Sequence, residues 1–299
     1  MSSRENNNVI VLATIGIAVL VAALFIRGCV LHKKVPSAKV RGASSHEVKR
    51  PPKGVPRPTQ APVPAQKLPA EINGHIAIIL DDWGYNQAHC RYLQDISAPL
   101  GVAILPGLPY SRDIIACAKA AGKDPMLHLP LEPYSAREYY AKDYLLLVSM
   151  PAPVLQKTLR RILDEMSGVV GVNNHTGSKG TESLALMNTV LGELKKRNLF
   201  FVDSVTTQRS VCLQAAQAQK MKIGRRDVFL DNRNERAYIE HQFAQAVRIA
   251  RKRGYALMIG HDRDLTLKII KEETEKFSQQ GIEFLPVREY IKQYEYSGN

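Results

Sequence analysis

The chain has 299 residues, 45% of them hydrophobic, which is enough for one large α/β domain with appended segments. Its net charge of +13 is unevenly placed: residues 27–67 hold ten Lys/Arg against the single acid Glu47, whereas from Leu68 onward 30 basic residues face 26 acidic ones. The basic character belongs to a tail and argues against nucleic acid as a partner of the main domain. Cys29, Cys90, Cys117 and Cys212 form no CxxC pair or regular framework and leave the redox compartment open.

Residues 1–8 are a short polar tail. Residues 9–26, VIVLATIGIAVLVAALFI, are an unbroken run of 18 apolar or small residues. At about 1.5 Å per residue this run nearly crosses a bilayer core of roughly 30 Å, and Val30 and Leu31 extend the span to residues 9–31 while Arg27 snorkels. An uncleaved transmembrane helix is expected, because no small-x-small site follows and Arg27 spoils the likeness of residues 26–29 to a lipoprotein box. Arg27, Lys33, Lys34, Lys39 and Arg41 follow the span, so the positive-inside rule alone would leave the carboxyl side in the cytoplasm. Residues 32–69 read as a disordered linker: eight of the 17 prolines fall between positions 36 and 69, among Lys, Arg, Ser and Ala, with no apolar periodicity.

The folded domain, residues 70–299, opens on a strand at 76–80 (IAIIL) that is apolar on both faces, as in a parallel sheet, and ends in Asp81 and Asp82 before a turn at Gly84. A helix follows over 87–96, then a strand over 100–105 closed by Pro106 and Gly107. A second helix spans 111–121, capped by Ser111 and stopped by Gly122. The strand 125–129 carries His128. After a loop come a helix over 153–166, a strand over 169–172 running into NNHTGS, and a helix over 181–198 with Thr181 and Glu182 in its first turn. Strands at 199–202 and 228–230 end in Asp203 and Asp231. A helix over 235–253, a strand over 255–259 ending in Gly260-His261-Asp262, a helix over 265–280, a strand over 282–285 and a short terminal helix complete the chain. The alternation implies an α/β fold, a (β/α) barrel of about seven units rather than an open sheet.

Asp81, Asp82, His128, Asn174, His175, Asp203, Asp231 and His261 all follow strands and would share one rim if the strands are parallel. Singly, each has a structural reading, as a helix cap or a satisfied core histidine. Together, three histidines and four aspartates at one topological place suit a divalent metal held by His and carboxylate. One acid of the Asp81–Asp82 pair would bind the ion and the other would act as base, with His261 protonating a leaving amine.

The segments IAIILDDWGY, GVAILPGLPY, MLHLPLEP, GVNNHTGS, LFFVDS, DVFLDN and ALMIGHD, in that order, resemble the divergent polysaccharide deacetylase family, a distant branch of the metal-dependent carbohydrate esterases with a NodB-like (β/α) barrel. The resemblance runs over residues 76–285. It implies removal of acetyl groups from a glycan at a divalent ion, with Zn2+ the expected one. It also implies roles: Asp81 as base, Asp82, His128 and His175 as metal ligands, and His261 as acid. Glu132, Asn174, Ser178, Asp203 and Asp231 would bind substrate or support the site. Three positions depart from the pattern: Glu132 stands where His-x-x-x-His would place a second histidine, Asp262 follows His261 in place of proline, and Thr176 replaces a commoner methionine.

The implied setting is an inner-membrane, single-pass protein with its domain in the periplasm, acting on an envelope polysaccharide or a peptidoglycan-derived glycan, although the basic flank points the other way. The altered second motif favours an alternative, a catalytically weak or inactive barrel that binds glycan or a cell-wall hydrolase partner. Related barrels also cleave glycosidic bonds, for which Asp203 or Asp231 would supply the second acid. Tyr134, Tyr139 and Tyr140, after His128, are candidates to stack on sugar rings.

Overall fold

A computed structural model describes residues 71–135 and 142–294. The anchor expected at 9–31, the linker at 32–69, and Tyr139 and Tyr140 lie outside the described residues. Among the described residues no helix is long and apolar enough to cross a membrane.

Nine parallel strands form one curled sheet: β1 (Gly74–Trp83), β2 (Gly101–Ile104), β3 (Asp124–Leu131), β4 (Gly171–Thr176), β5 (Phe200–Asp203), β6 (Ile223–Arg225), β7 (Val228–Phe229), β8 (Tyr255–His261) and β9 (Ile282–Phe284). Their order is β6-β5-β4-β3-β2-β1-β8-β7, with β9 also on β1. β1 is the hub: β8 runs beside it from His75 to Asp81, β9 pairs with its first residues, and β2 pairs with its second half. The helices are α1 (Cys90–Asp95), α2 (Ser111–Ala120), α3 (Ala152–Glu165), α4 (Leu184–Lys196), α5 (Cys212–Ala218), α6 (Arg236–Arg253), α7 (Asp264–Ser278) and α8 (Val287–Gln293).

The expected barrel needs correction. β6 and β7, the two ends of the strand order, do not pair, so the sheet is a half-barrel. Only Arg226 and Asp227 separate them, and parallel neighbours need a crossover of about a dozen residues or more. α5 and β6 were not anticipated, since a seven-residue helix and a three-residue strand carry too little periodicity to read. The helix expected from 181 begins at Leu184, where the Ser183 hydroxyl caps it by accepting from the Leu186 N–H. Ser111 is the first residue of α2 rather than its cap, and its hydroxyl donates to the Leu105 carbonyl.

Strand alternation divides the core in two. Ile76, Ile78 and Leu80 of β1, with Leu127 and Leu129 of β3 and Met258 of β8, face the helical layer. Ala77 and Ile79 of β1, Met126, Val202, Leu257 and Ile259 face the concave side, closed off by Val287, Tyr290 and Ile291 of α8. On that concave side the period of two continues past the apolar residues to Asp81, His128 and His261. The rim chemistry therefore extends the inner core by one step. Cys90 of α1 and Cys117 of α2 form a disulfide with a Cα–Cα distance of 6.2 Å, and Cys212 is buried and free.

Candidate metal centre

Two adjacent strand residues normally point to opposite faces, yet both acids of β1 reach the mouth. The register between β1 and β2 shifts between Leu80 and Trp83, and Asp82 has a φ of 66°. This bulge in the left-handed region turns the Asp82 side chain towards the concave side that Asp81 already faces. For a residue with a Cβ this backbone costs of order 1–3 kcal/mol, offset here by the strands on either side of β1.

His128 and His175 meet Asp82 from β3 and β4. The Asp82 Oδ1 atom lies 3.4 Å from His128 Nε2 and 3.3 Å from His175 Nδ1, and those two nitrogens are 3.1 Å apart. A tetrahedral zinc ion with ligands at about 2.0–2.1 Å separates them by roughly 3.3 Å, so the donor triangle has the right edge lengths and leaves a fourth position for a small ligand. Asp82 Oδ1 is buried and makes no hydrogen bond of good geometry among the described residues, which an ion would remedy. Burial alone would raise the Asp82 carboxyl, but the two imidazoles outweigh it and hold the group far below the ordinary carboxylate range. The three residues thus fit a divalent cation.

Asp81 and His261 face each other across β1 and β8 in register. Asp81 is buried and its pKa is raised, chiefly by desolvation, with His128 and the Asn173 hydrogen bond opposing the rise. Its Oδ2 lies 3.6 Å from His128 Nε2. His261 Nδ1 bonds the Asp231 carboxylate at 2.7 Å, and His261 Nε2 is 3.8 Å from Asp82 Oδ2. Burial works against a charged His261, yet Asp231, followed by Asp82 and Asp81, raises its pKa above the usual imidazole value. Asp231 is itself held by the Thr266 hydroxyl at 2.7 Å and the His261 backbone N–H at 3.0 Å.

Other sequence candidates serve the loops. Asn174 and Asp203 have the outward parity of their strands: Asn174 accepts from the Ser204 N–H and donates to the Thr176 carbonyl, and Asp203 accepts from Ser210 and the Val205 N–H. Glu132 is bound by Lys179 Nζ at 2.6 Å and by the Val148 N–H at 2.7 Å, so the altered second motif braces the β3 loop while His175 supplies the second imidazole. The Ser178 hydroxyl accepts from the Tyr134 N–H. Sequence reasoning passed over Asn173, which donates to Asp81 Oδ1 at 2.8 Å. The available signal was parity, since stepping back two residues from His175 along β4 gives Asn173.

A curled parallel sheet with a His/Asp cluster at the carboxyl ends of its strands defines an α/β protein with a rim site suited to a divalent ion. Residues 78–291 match the divergent polysaccharide deacetylase family, and the chain belongs to it. It is similar to the uncharacterized protein YibQ of Escherichia coli, at 32% identity over 67% of this chain and 62% of that one, so it spans somewhat under two thirds of that relative's length. It is also similar to an uncharacterized protein of Haemophilus influenzae, at 34% identity over 66% of this chain and 69% of that one. Among solved structures, the uncharacterized protein ATU2773 of Agrobacterium tumefaciens shares the fold, with a TM-score of 0.68 at 24% identity over 74% of this chain and 90% of that one.

Proposed function

We propose that the protein is a membrane-anchored, metal-dependent hydrolase that removes acetyl groups from an envelope glycan. The observation that carries this is the Asp82–His128–His175 triangle, with its tetrahedral edge lengths, beside a buried carboxyl and a carboxylate-backed histidine. Family membership supports the substrate class. A bound divalent ion, Zn2+ first among candidates, would supply Lewis acidity and make a coordinated water more acidic.

The chain's own groups divide the proton work. Asp81, raised by burial, accepts the proton of the attacking water, and His261, kept protonated by Asp231, gives a proton to the leaving nitrogen or oxygen. A C–O bond to water forms, the bond from the acetyl carbon to the sugar breaks, and acetate leaves. Tyr85, Tyr110 and Tyr134, exposed on the loops after β1, β2 and β3, offer faces on which sugar rings stack.

The proposed location is the periplasmic side of the inner membrane, anchored by residues 9–31 and acting on a peptidoglycan-derived or other envelope polysaccharide. The Cys90–Cys117 disulfide supports an oxidising compartment and weighs against the orientation that the basic flank suggests. The deciding assay is acetate release from N-acetylated oligosaccharides and peptidoglycan fragments by the zinc-loaded full chain. Activity that is lost on chelation and restored by zinc is expected. Stoichiometric zinc binding with no acetate from any acetylated glycan would refute the hydrolase and favour a half-barrel that binds glycan or a cell-wall hydrolase.

A further inference from the structure

Asn173 lies in β4 directly across from His128 of β3 and is fully buried. Its Oδ1 is 2.9 Å from His128 Nδ1, and its Nδ2 is 2.8 Å from Asp81 Oδ1 and 3.2 Å from Ser204 Oγ. One amide therefore touches both a metal-ligand candidate and the proposed base. We propose that Asn173 is a positioning residue that fixes the proton of His128 on Nδ1 and ties the Asp81 carboxylate to the same frame, so that the ion-holding and proton-accepting groups are set as one unit.

The direction of the amide follows from donor and acceptor chemistry. An ionised carboxylate only accepts hydrogen bonds, so the side-chain NH2 must face Asp81 and the carbonyl oxygen must face His128. A carbonyl oxygen also only accepts, so His128 carries its hydrogen on Nδ1. That leaves the Nε2 lone pair directed at Asp82 and His175, the orientation a ligand needs.

The fold treats His261 differently. His261 Nδ1 is backed by the Asp231 carboxylate, which stabilises an imidazolium, whereas His128 is backed by a neutral amide, which fixes the tautomer without adding charge. The candidate proton donor His261 and the candidate ligand His128 thus differ in the group behind Nδ1, a carboxylate for one and an amide oxygen for the other. An alanine at 173 would leave the His128 Nδ1–H and an Asp81 oxygen buried without their partner. An aspartate there would set a second carboxylate against Asp81.

The consequence for ion affinity rests on the metal-centre reading; the tautomer does not. The test uses the full chain in detergent, stripped of metal and labelled with 15N-histidine, at a pH where the imidazoles are neutral. The His128 signals, assigned by their loss in His128→Gln, are expected to be those of the Nδ1–H tautomer and to change to a mixture in Asn173→Ala. Titration with zinc ion alone should show affinity reduced about 10- to 100-fold in Asn173→Ala, with circular dichroism matching wild type. An Nε2–H tautomer in the wild type overturns the proposal, as does a folded Asn173→Ala that binds zinc as tightly as wild type. If the variant does not fold, the wild-type tautomer decides. A protein that binds zinc but releases no acetate would count against the hydrolase reading while leaving both readouts intact.

Discussion

Replacing Asp231 by asparagine preserves the shape of a fully buried side chain while removing the charge behind His261. The carboxylate accepts three hydrogen bonds: from His261 Nδ1, the His261 N–H and the Thr266 hydroxyl. An asparagine facing His261 Nδ1 with its oxygen presents its NH2 to the other two, and a hydroxyl can rotate to accept whereas a backbone N–H cannot. Hydrogen bonds to charged groups contribute about 1.5–3 kcal/mol, and one pH unit corresponds to about 1.36 kcal/mol. Loss of the charge-assisted bond should therefore lower the His261 pKa by about one to two units.

If His261 donates its proton to the leaving group, activity falls as pH rises through its pKa, and in Asp231→Asn that alkaline limb should move down by the same amount. Stability follows the same sign. A histidine whose folded pKa is raised above its unfolded value of about 6.5 contributes stability that is full below that value and is lost as pH rises through the folded pKa. Denaturant unfolding across this range should show that dependence in the wild type and its loss in the variant. The rate assay is acetate release by the zinc-loaded protein as a function of pH. An alkaline limb that stays in place in a folded Asp231→Asn would refute the assignment of His261 as the acid.

Asp82→Asn should retain the fold and lose nearly all bound zinc, measured by elemental analysis after reconstitution; unchanged metal content would remove Asp82 from the ligand set. Breaking the Cys90–Cys117 link, which closes a separation of 27 residues, should cost about 3.5 kcal/mol by loop entropy and lower Tm by about 7–14 °C in the paired serine variant. No change in calorimetry would mean that the bridge does not constrain the unfolded chain. Gly101→Ala would place a Cβ 2.8 Å from a Val287 methyl and 2.9 Å from Met126 sulfur, so destabilisation of about 1–3 kcal/mol in urea unfolding is expected. A neutral result would show that α8 can shift away from β2.

The chain by itself determined the parallel α/β class, the order of the strands along it, and the acids and histidines that follow them. Apolar runs, turn residues and strand-end charges are local signals, carried within a few residues. Three further features depended on how the strands assemble. The adjacency of Asp81 and Asp82 predicts opposite faces, and only the register shift against β2, with φ positive at Asp82, brings both to the mouth. Asn173 and Asn174 are indistinguishable as a dipeptide, and the pairing of β4 with β3 sends one to His128 while the other serves the Ser204 loop. The sheet stays open because β6 and β7 are joined too tightly to lie side by side in parallel, which no count of βα units could reveal. Which face a strand residue serves is settled by hydrogen-bond register between strands. That register is a property of the assembled sheet, so it becomes readable only when the sheet has formed.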